Sequence, residues 1–142
     1  HNISGMETAF LLAYENIDKD KEHILGLKNQ FIRKAKRDIS NIKFNASCDD
    51  INSNTYTVLN VCLPVKKEKS VLLEFNLDLK GIACSRGSAC QSGSSKGSHV
   101  LNQILDPKDI EKPSIRFSFS KYNTIEEVDL VIDTLKDFIE SS

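Results

Sequence analysis

Ser114-Ile115-Arg116-Phe117-Ser118-Phe119, followed shortly by Thr124-Ile125-Glu126-Glu127-Val128, is the stretch that decides the fold. Ile115, Phe117 and Phe119 alternate with polar or charged neighbours, which is the period of a strand with one buried face. Thr124 with Glu127 three positions on forms a capping box and opens a helix. Along that helix Val128, Ile132, Leu135 and Ile139 recur at three- and four-residue steps, giving one inward stripe. A strand that buries one face beside a helix that buries one stripe is the unit of an α+β layer.

Towards the N-terminus the same two periods recur. Residues 4–39 read as helix in two pieces. Ser4 and Glu7 form a capping box for the first, polarity rises over 16–20, and Asp18 caps the second. Ile24, Leu27, Phe31, Ala35 and Ile39 supply its apolar stripe. Basic Arg33, Lys34, Lys36 and Arg37 crowd its last turns, where a solvated helix end explains them better than a nucleic-acid patch. Ile42, Phe44 and Ala46 alternate as a strand, and 56–63 is a second strand stopped by Pro64. Residues 71–79 fit helix or strand; helix is preferred, ended by Gly81. Ile82-Ala83-Cys84 reads as a brief strand, and Ser98 caps a short helix through Leu105. The expected architecture is α+β, an antiparallel sheet of three or four strands covered by helices, in a single domain over residues 1–142.

The length of 142 residues suffices for one core without metal or disulfide staples. Hydrophobic residues at 39% and charged residues at 27% exclude wholesale disorder. A formal net charge of −1 supplies no field for nucleic acid or an anionic membrane. No apolar run is long enough to span a bilayer, and the first residues lack the basic region of a signal peptide. The start at His1 rather than Met suggests a processed or truncated piece. Cys48, Cys62, Cys84 and Cys90 include no Cys-x-x-Cys pair, so zinc is not indicated. The expected setting is reducing and cytoplasmic, with Cys48, Cys62 and Cys84 as small core residues.

Cys90 is different. Residues 85–98 hold six serines and three glycines and no large apolar residue, so they cannot pack a core and are expected to be flexible. A thiol in such a stretch is exposed and able to react; a surface cysteine without a role is the plainer alternative. The Cys90-to-Lys96 spacing resembles a cysteine-phosphatase loop, but that chemistry needs the bidentate grip of an arginine. A Cys–His pair with His99 or His23 has no identifiable third group.

Gly81-Ile82-Ala83-Cys84-Ser85-Arg86-Gly87-Ser88-Ala89-Cys90-Gln91-Ser92-Gly93, with Ser98-His99-Val100-Leu101 after it, resembles the active-site cysteine segment of cysteine desulfurases. The closer likeness is to the long-loop branch that serves iron–sulfur assembly and thiolation. Residues 114–119 and 122–129 resemble that family's closing strand and helix, and Asn2-Ile3-Ser4-Gly5 its return into the small domain. The resemblance implies the C-terminal small domain of a fold-type I pyridoxal-phosphate enzyme, with the large cofactor-binding domain absent. Pyridoxal 5'-phosphate is therefore expected in the full-length enzyme and not on this chain.

The resemblance also implies roles. Cys90 is the matching catalytic thiol: as a thiolate it takes the sulfur of L-cysteine as a persulfide, alanine leaves, and the sulfur passes to an acceptor or iron–sulfur scaffold protein. Both events are displacements at sulfur, so the thiol must visit two places, and a coil of about 12 residues spans roughly 17–20 Å. Arg116 matches the arginine that holds the substrate carboxylate, a task suited to its planar fork. The full-length enzyme is expected to be a homodimer. Ser95-Lys96-Gly97-Ser98 stands where many relatives have an acidic-Pro pair, which leaves partner preference open. The alternative is a free-standing sulfur-carrier or interaction domain that uses Cys90 without a cofactor.

Overall fold

A computed structural model describes residues 1–86 and 98–141. Its elements are helix α1 (Asn2–Asp38), strand β1 (Lys43–Phe44), β2 (Val58–Cys62), α2 (Ser70–Leu79), the short α3 (Leu101–Ile104) and α4 (Pro107–Ile110), β3 (Ser114–Ser118) and α5 (Ile125–Glu140). The strands form one antiparallel sheet in the order β1-β2-β3. Three strands with helices against them satisfy the α+β expectation.

The sheet has one dry face. Leu59 and Val61 of β2 and Ile115 and Phe117 of β3 are buried there. They meet Leu27, Phe31 and Ala35 of α1 and Val128, Ile132 and Leu135 of α5 in one core. The Phe31 ring packs 5.2 Å from that of Phe117 and edge-on, at 6.0 Å, to that of Phe119. Thr124 caps α5 as its sequence requires, with the reciprocal Glu127 bond present. At the end of α2, Gly81 takes φ 75°. Its N–H donates to Asp78 O at 2.8 Å, and Ile82 N–H donates to Leu77 O at 2.9 Å. This pair of bonds satisfies the last carbonyls, and buried Leu77 and Ile82 close the turn.

Several sequence expectations are corrected. α1 is a single helix of 37 residues rather than two. The polar run 16–20 contains neither proline nor glycine, and on a solvent-facing helix polar side chains do not interrupt the backbone ladder. The helix starts at Asn2 with His1 as its cap, so Ser4 and Asp18 lie inside it and the Ser4–Glu7 capping box does not form. β1 stops at Phe44 because Ala46 turns to φ 54°. Residues 82–84 form no strand; only Ser85 makes a bridge to the sheet. α4 was not foreseen, although Asp106-Pro107 is a cap-and-first-turn signature. Cys84 is half-buried rather than buried. The flexibility expected of 85–98 falls mostly outside the described residues, and its first two positions, Ser85 and Arg86, are bonded.

The basic end of α1 is paired off. Lys34 bonds Asp129, Lys36 lies 2.7 Å from Asp49, and Arg37 lies 2.6 Å from Asp38, while Arg33 bonds the side-chain oxygen of Gln30.

Replacing Thr124 with Ala or Gly81 with Ala is expected to lower stability by about 1 kcal/mol each, the first by removing the cap and the second by forcing a side chain into the left-handed region. Urea unfolding of the two variants measures both losses, and their sum in the double variant, since the sites share no partner.

Candidate functional site

Antiparallel pairing sets Asn60 opposite Arg116 and Leu59 opposite Phe117. Paired residues point to the same side of a sheet and successive ones to opposite sides. With Leu59 and Phe117 in the core, Arg116 therefore projects from the other, outer face, where it is exposed. Among the described residues no carboxylate lies within ion-pair reach of its guanidinium.

The other edge of β3 carries the second feature. Ser85 N–H donates to Arg116 O at 3.1 Å, and Arg116 N–H donates to Ser85 O at 2.7 Å. The next residue, Arg86, donates from Nη1 to Ser70 Oγ at 2.8 Å and sits 3.8 Å from Glu74. Two consecutive residues are thus tied to two different elements, β3 and α2. Cys90 itself lies outside the described residues. It follows Ser85 by five positions, so the covalent chain keeps it within roughly 18 Å of that bridge. The structure thus brings the root of the Cys90 segment against Arg116. Sequence reasoning left Arg86 unassigned; the signal was an arginine just outside a helix that carries Glu74 on the near side.

The other three thiols are held as neutral groups. Burial pushes the Cys48 thiol up, and neighbouring Asp49 adds to the shift. Cys62 is raised by burial and then by the charge of Asp109. Cys84 is raised by burial and by Glu74 and Asp78. His23 bonds the Asn123 carbonyl at 3.0 Å, a tie between α1 and the turn before α5, and His99 is exposed on α3's approach.

One lysine and one cleft stand out among the described residues. Lys28 is fully buried, and its ammonium donates to the Thr55 carbonyl at 2.7 Å. Burial lowers its pKa. A cleft of about 900 Å³ opens elsewhere, beside β1 and α4. Its lysines Lys43, Lys66, Lys108 and Lys112 face Glu68 and Glu111, with no aromatic ring to stack on a pyridine. Among the described residues no cluster of His, Cys, Asp and Glu could hold a metal ion, and no helix is long and apolar enough to cross a membrane.

A fold with this sheet, this closing strand and helix, and an arginine exposed on the sheet's outer face matches a known class. The aminotransferase class-V family model matches residues 2–131, and the chain belongs to that family. Over 138 residues it is 36% identical to the cysteine desulfurase IscS of Dictyoglomus turgidum, covering 97% of this chain and 34% of that protein. Over 139 residues it is 32% identical to the cysteine desulfurase IscS of Pseudoalteromonas translucida, covering 98% of this chain and 33% of that one. A NifS-like protein from Rickettsia africae superposes on 91% of this chain and 31% of its own, with a TM-score of 0.70 at 20% identity, which shows a shared fold. The chain spans about a third of the length of the curated relatives it matches.

Bonded to two of the lysines that line the cleft, Asp109 is 5% exposed at its side chain and lies 2.5 Å from Lys43 and 2.9 Å from Lys112. These bonds, that from Lys43 first, hold its carboxyl at about 2 against an ordinary 3.8. A depressed folded-state pKa stabilises above the unfolded value, and the contribution disappears as pH falls through the folded one. Stability is expected to decline between about pH 4 and pH 2, and Asp109→Asn to show a flatter profile there. Urea midpoints across that range measure the difference; parallel profiles would contradict it.

Proposed function

We propose that this chain is the C-terminal small domain of a cysteine desulfurase, a transferase that draws sulfur from L-cysteine for iron–sulfur cluster assembly or thiolation. The observation that carries the reading is the Arg116–Ser85 bridge. It places an unpaired guanidinium on the sheet face next to the root of the segment that bears Cys90. Full-length relatives about three times as long supply the remaining context, and the exposed apolar stripe on the first half of α1 is what a domain contact requires. In the full-length protein, working as a cytoplasmic homodimer, pyridoxal phosphate held outside this chain supplies the electron sink that makes the substrate's Cβ–S bond labile.

The residues of this chain then have two tasks. Arg116 accepts the substrate carboxylate in two parallel hydrogen bonds, which fixes the amino acid by the end that does not react. Cys90, as thiolate, attacks the substrate sulfur: its S–S bond forms, the Cβ–S bond breaks with its electron pair left on the carbon side, Cβ takes up a proton, and the three-carbon remainder leaves as alanine. The outer sulfur of the persulfide next goes to a thiolate of an acceptor or scaffold protein, and Cys90 returns as thiolate. The bonded root at Ser85 and Arg86 sets the centre from which that thiol is carried.

In the full-length enzyme, Cys90→Ser is expected to abolish persulfide formation and alanine release from L-cysteine while the bound cofactor's absorbance persists. Arg116→Lys, which loses the planar fork, is expected to raise KM for L-cysteine roughly tenfold or more. In this chain alone, limiting iodoacetamide at neutral pH should label Cys90 before the burial-raised Cys48, Cys62 and Cys84. Mass spectrometry showing another thiol labelled first, or a Cys90→Ser enzyme that still carries a persulfide through turnover, overturns the assignment.

A further inference from the structure

The turn that follows β1 has a backbone that ordinary residues avoid. Ala46 and Ser47 both lie in the left-handed region, at φ 54° and 51°. The bend delivers the two residues that flank it to a single residue of β2. Asn45, buried at 3% exposure, donates from Nδ2 to Asn60 Oδ1 at 2.8 Å and to Ser114 Oγ at 2.9 Å. The Cys48 thiol donates to Asn60 O at 3.2 Å and accepts from Asn60 N–H, also at 3.2 Å. It takes over the ladder bonds of Asn60 where β1 has already ended. Asn60 is therefore gripped by main chain and side chain together, with its amide oxygen occupied.

The free end of that amide faces somewhere useful. Asn60 is the direct cross-strand partner of Arg116, so the two side chains rise from the same, outer face, with β-carbons about 4.5–5.5 Å apart. Among the described residues nothing accepts from Asn60 Nδ2. A carboxylate offers about four lone-pair positions, of which a bidentate arginine takes two. A neutral amide donor beside the fork fills a third without adding charge. Strained backbone that holds one oriented donor next to one unpaired cation is characteristic of binding sites.

We propose that Asn60 is a second ligand for the substrate's α-carboxylate, donating from Nδ2 beside Arg116, and that Asn45 is the positioning residue that fixes the amide's orientation. The inference rests on the desulfurase reading of the same sheet face. It adds a specificity element: the pair selects an amino acid with a free α-carboxylate over its ester or decarboxylated amine.

The test uses the full-length enzyme with Asn60→Asp, Asn60→Ala and Asn45→Ala. Asn60→Asp keeps the size and the acceptor for Asn45 but sets a negative charge against the carboxylate. KM for L-cysteine is expected to rise roughly tenfold or more in Asn60→Asp and less in the two alanine variants, with kcat changed under about threefold. L-cysteine methyl ester, which carries no carboxylate charge, should inhibit wild type and Asn60→Asp equally. Asn60→Ser, too short to reach substrate yet able to accept from Asn45, gives the same reading if the aspartate variant folds poorly. Equilibrium binding of L-alanine separates the two readings. Asn60-dependent binding by a wild type that releases no alanine from L-cysteine keeps this site and removes the desulfurase reading. Equal L-alanine affinity in wild type and Asn60→Asp, or ester inhibition that falls in step with KM, overturns the assignment.

Discussion

The register between β2 and β3 is the constraint on which the rest depends. With Leu59 opposite Phe117 and Val61 opposite Ile115, four apolar side chains fall on the dry face. A one-residue slip of β3 against β2 would turn Ile115 and Phe117 to the outer face and Arg116 into the core. Each large apolar side chain contributes roughly 1.5–3 kcal/mol by burial, and an unpaired guanidinium in the interior costs several more. The gap against the slipped pairing is thus far larger than any surface contact supplies. Arg116 is placed by the residues on either side of it in sequence, and its guanidinium needs no partner of its own to stay where it is.

The same register fixes Arg116 relative to the chain that leaves the sheet beyond Ser85. Arg116 sits on the β2–β3 pairing, where geometry is held by core packing on the opposite face. The chain departs from the far edge of β3, anchored by the two main-chain bonds of Ser85 and by Arg86 on α2. The Arg86–Glu74 pair is partly exposed and contributes little energy; the bond to buried Ser70 is the stronger part.

Local rules carried the C-terminal half of the chain in legible form. β3 and α5 follow from alternation, a capping box and a 3.6-residue stripe, whereas the pattern of 71–79 fits helix and strand alike and only the preference for helix, with Gly81 as its end, matches α2. The residues proposed for the site stand out in the sequence by pattern alone, Arg116 as the one charge within an alternating strand and Cys90, outside the described residues, as the one thiol in a Gly/Ser run. What the local rules missed depends on tertiary partners. The polar run 16–20 looked like a break because periodicity registers burial, and that part of α1 is not buried within this chain. β1 was read too long because nothing in Asn45-Ala46-Ser47 announces two left-handed residues without glycine. Asn60 gave no signal, since its setting arises from pairing with a residue 56 positions away (116 − 60) and from a thiol that completes its ladder bonds.

The first half of α1 extends the same reasoning beyond the chain's own core. Ile24, Leu27, Phe31 and Ala35 are buried against the sheet and α5, and no residue before Ile24 is buried. The apolar stripe does not end there. Ile3, Met6, Phe10 and Ile17 continue it towards the N-terminus at the same three-, four- and seven-residue steps, and all are exposed. At 100° per residue these positions fall on the side of the helix that Ile24 and Ala35 occupy. Phe10 and Tyr14 stack on each other at 5.6 Å between ring centres. A stripe of this length is costly to leave in water and unusual on a monomer. Its continuity with a buried stripe gives one helix a single apolar face that is packed in its second half and exposed in its first.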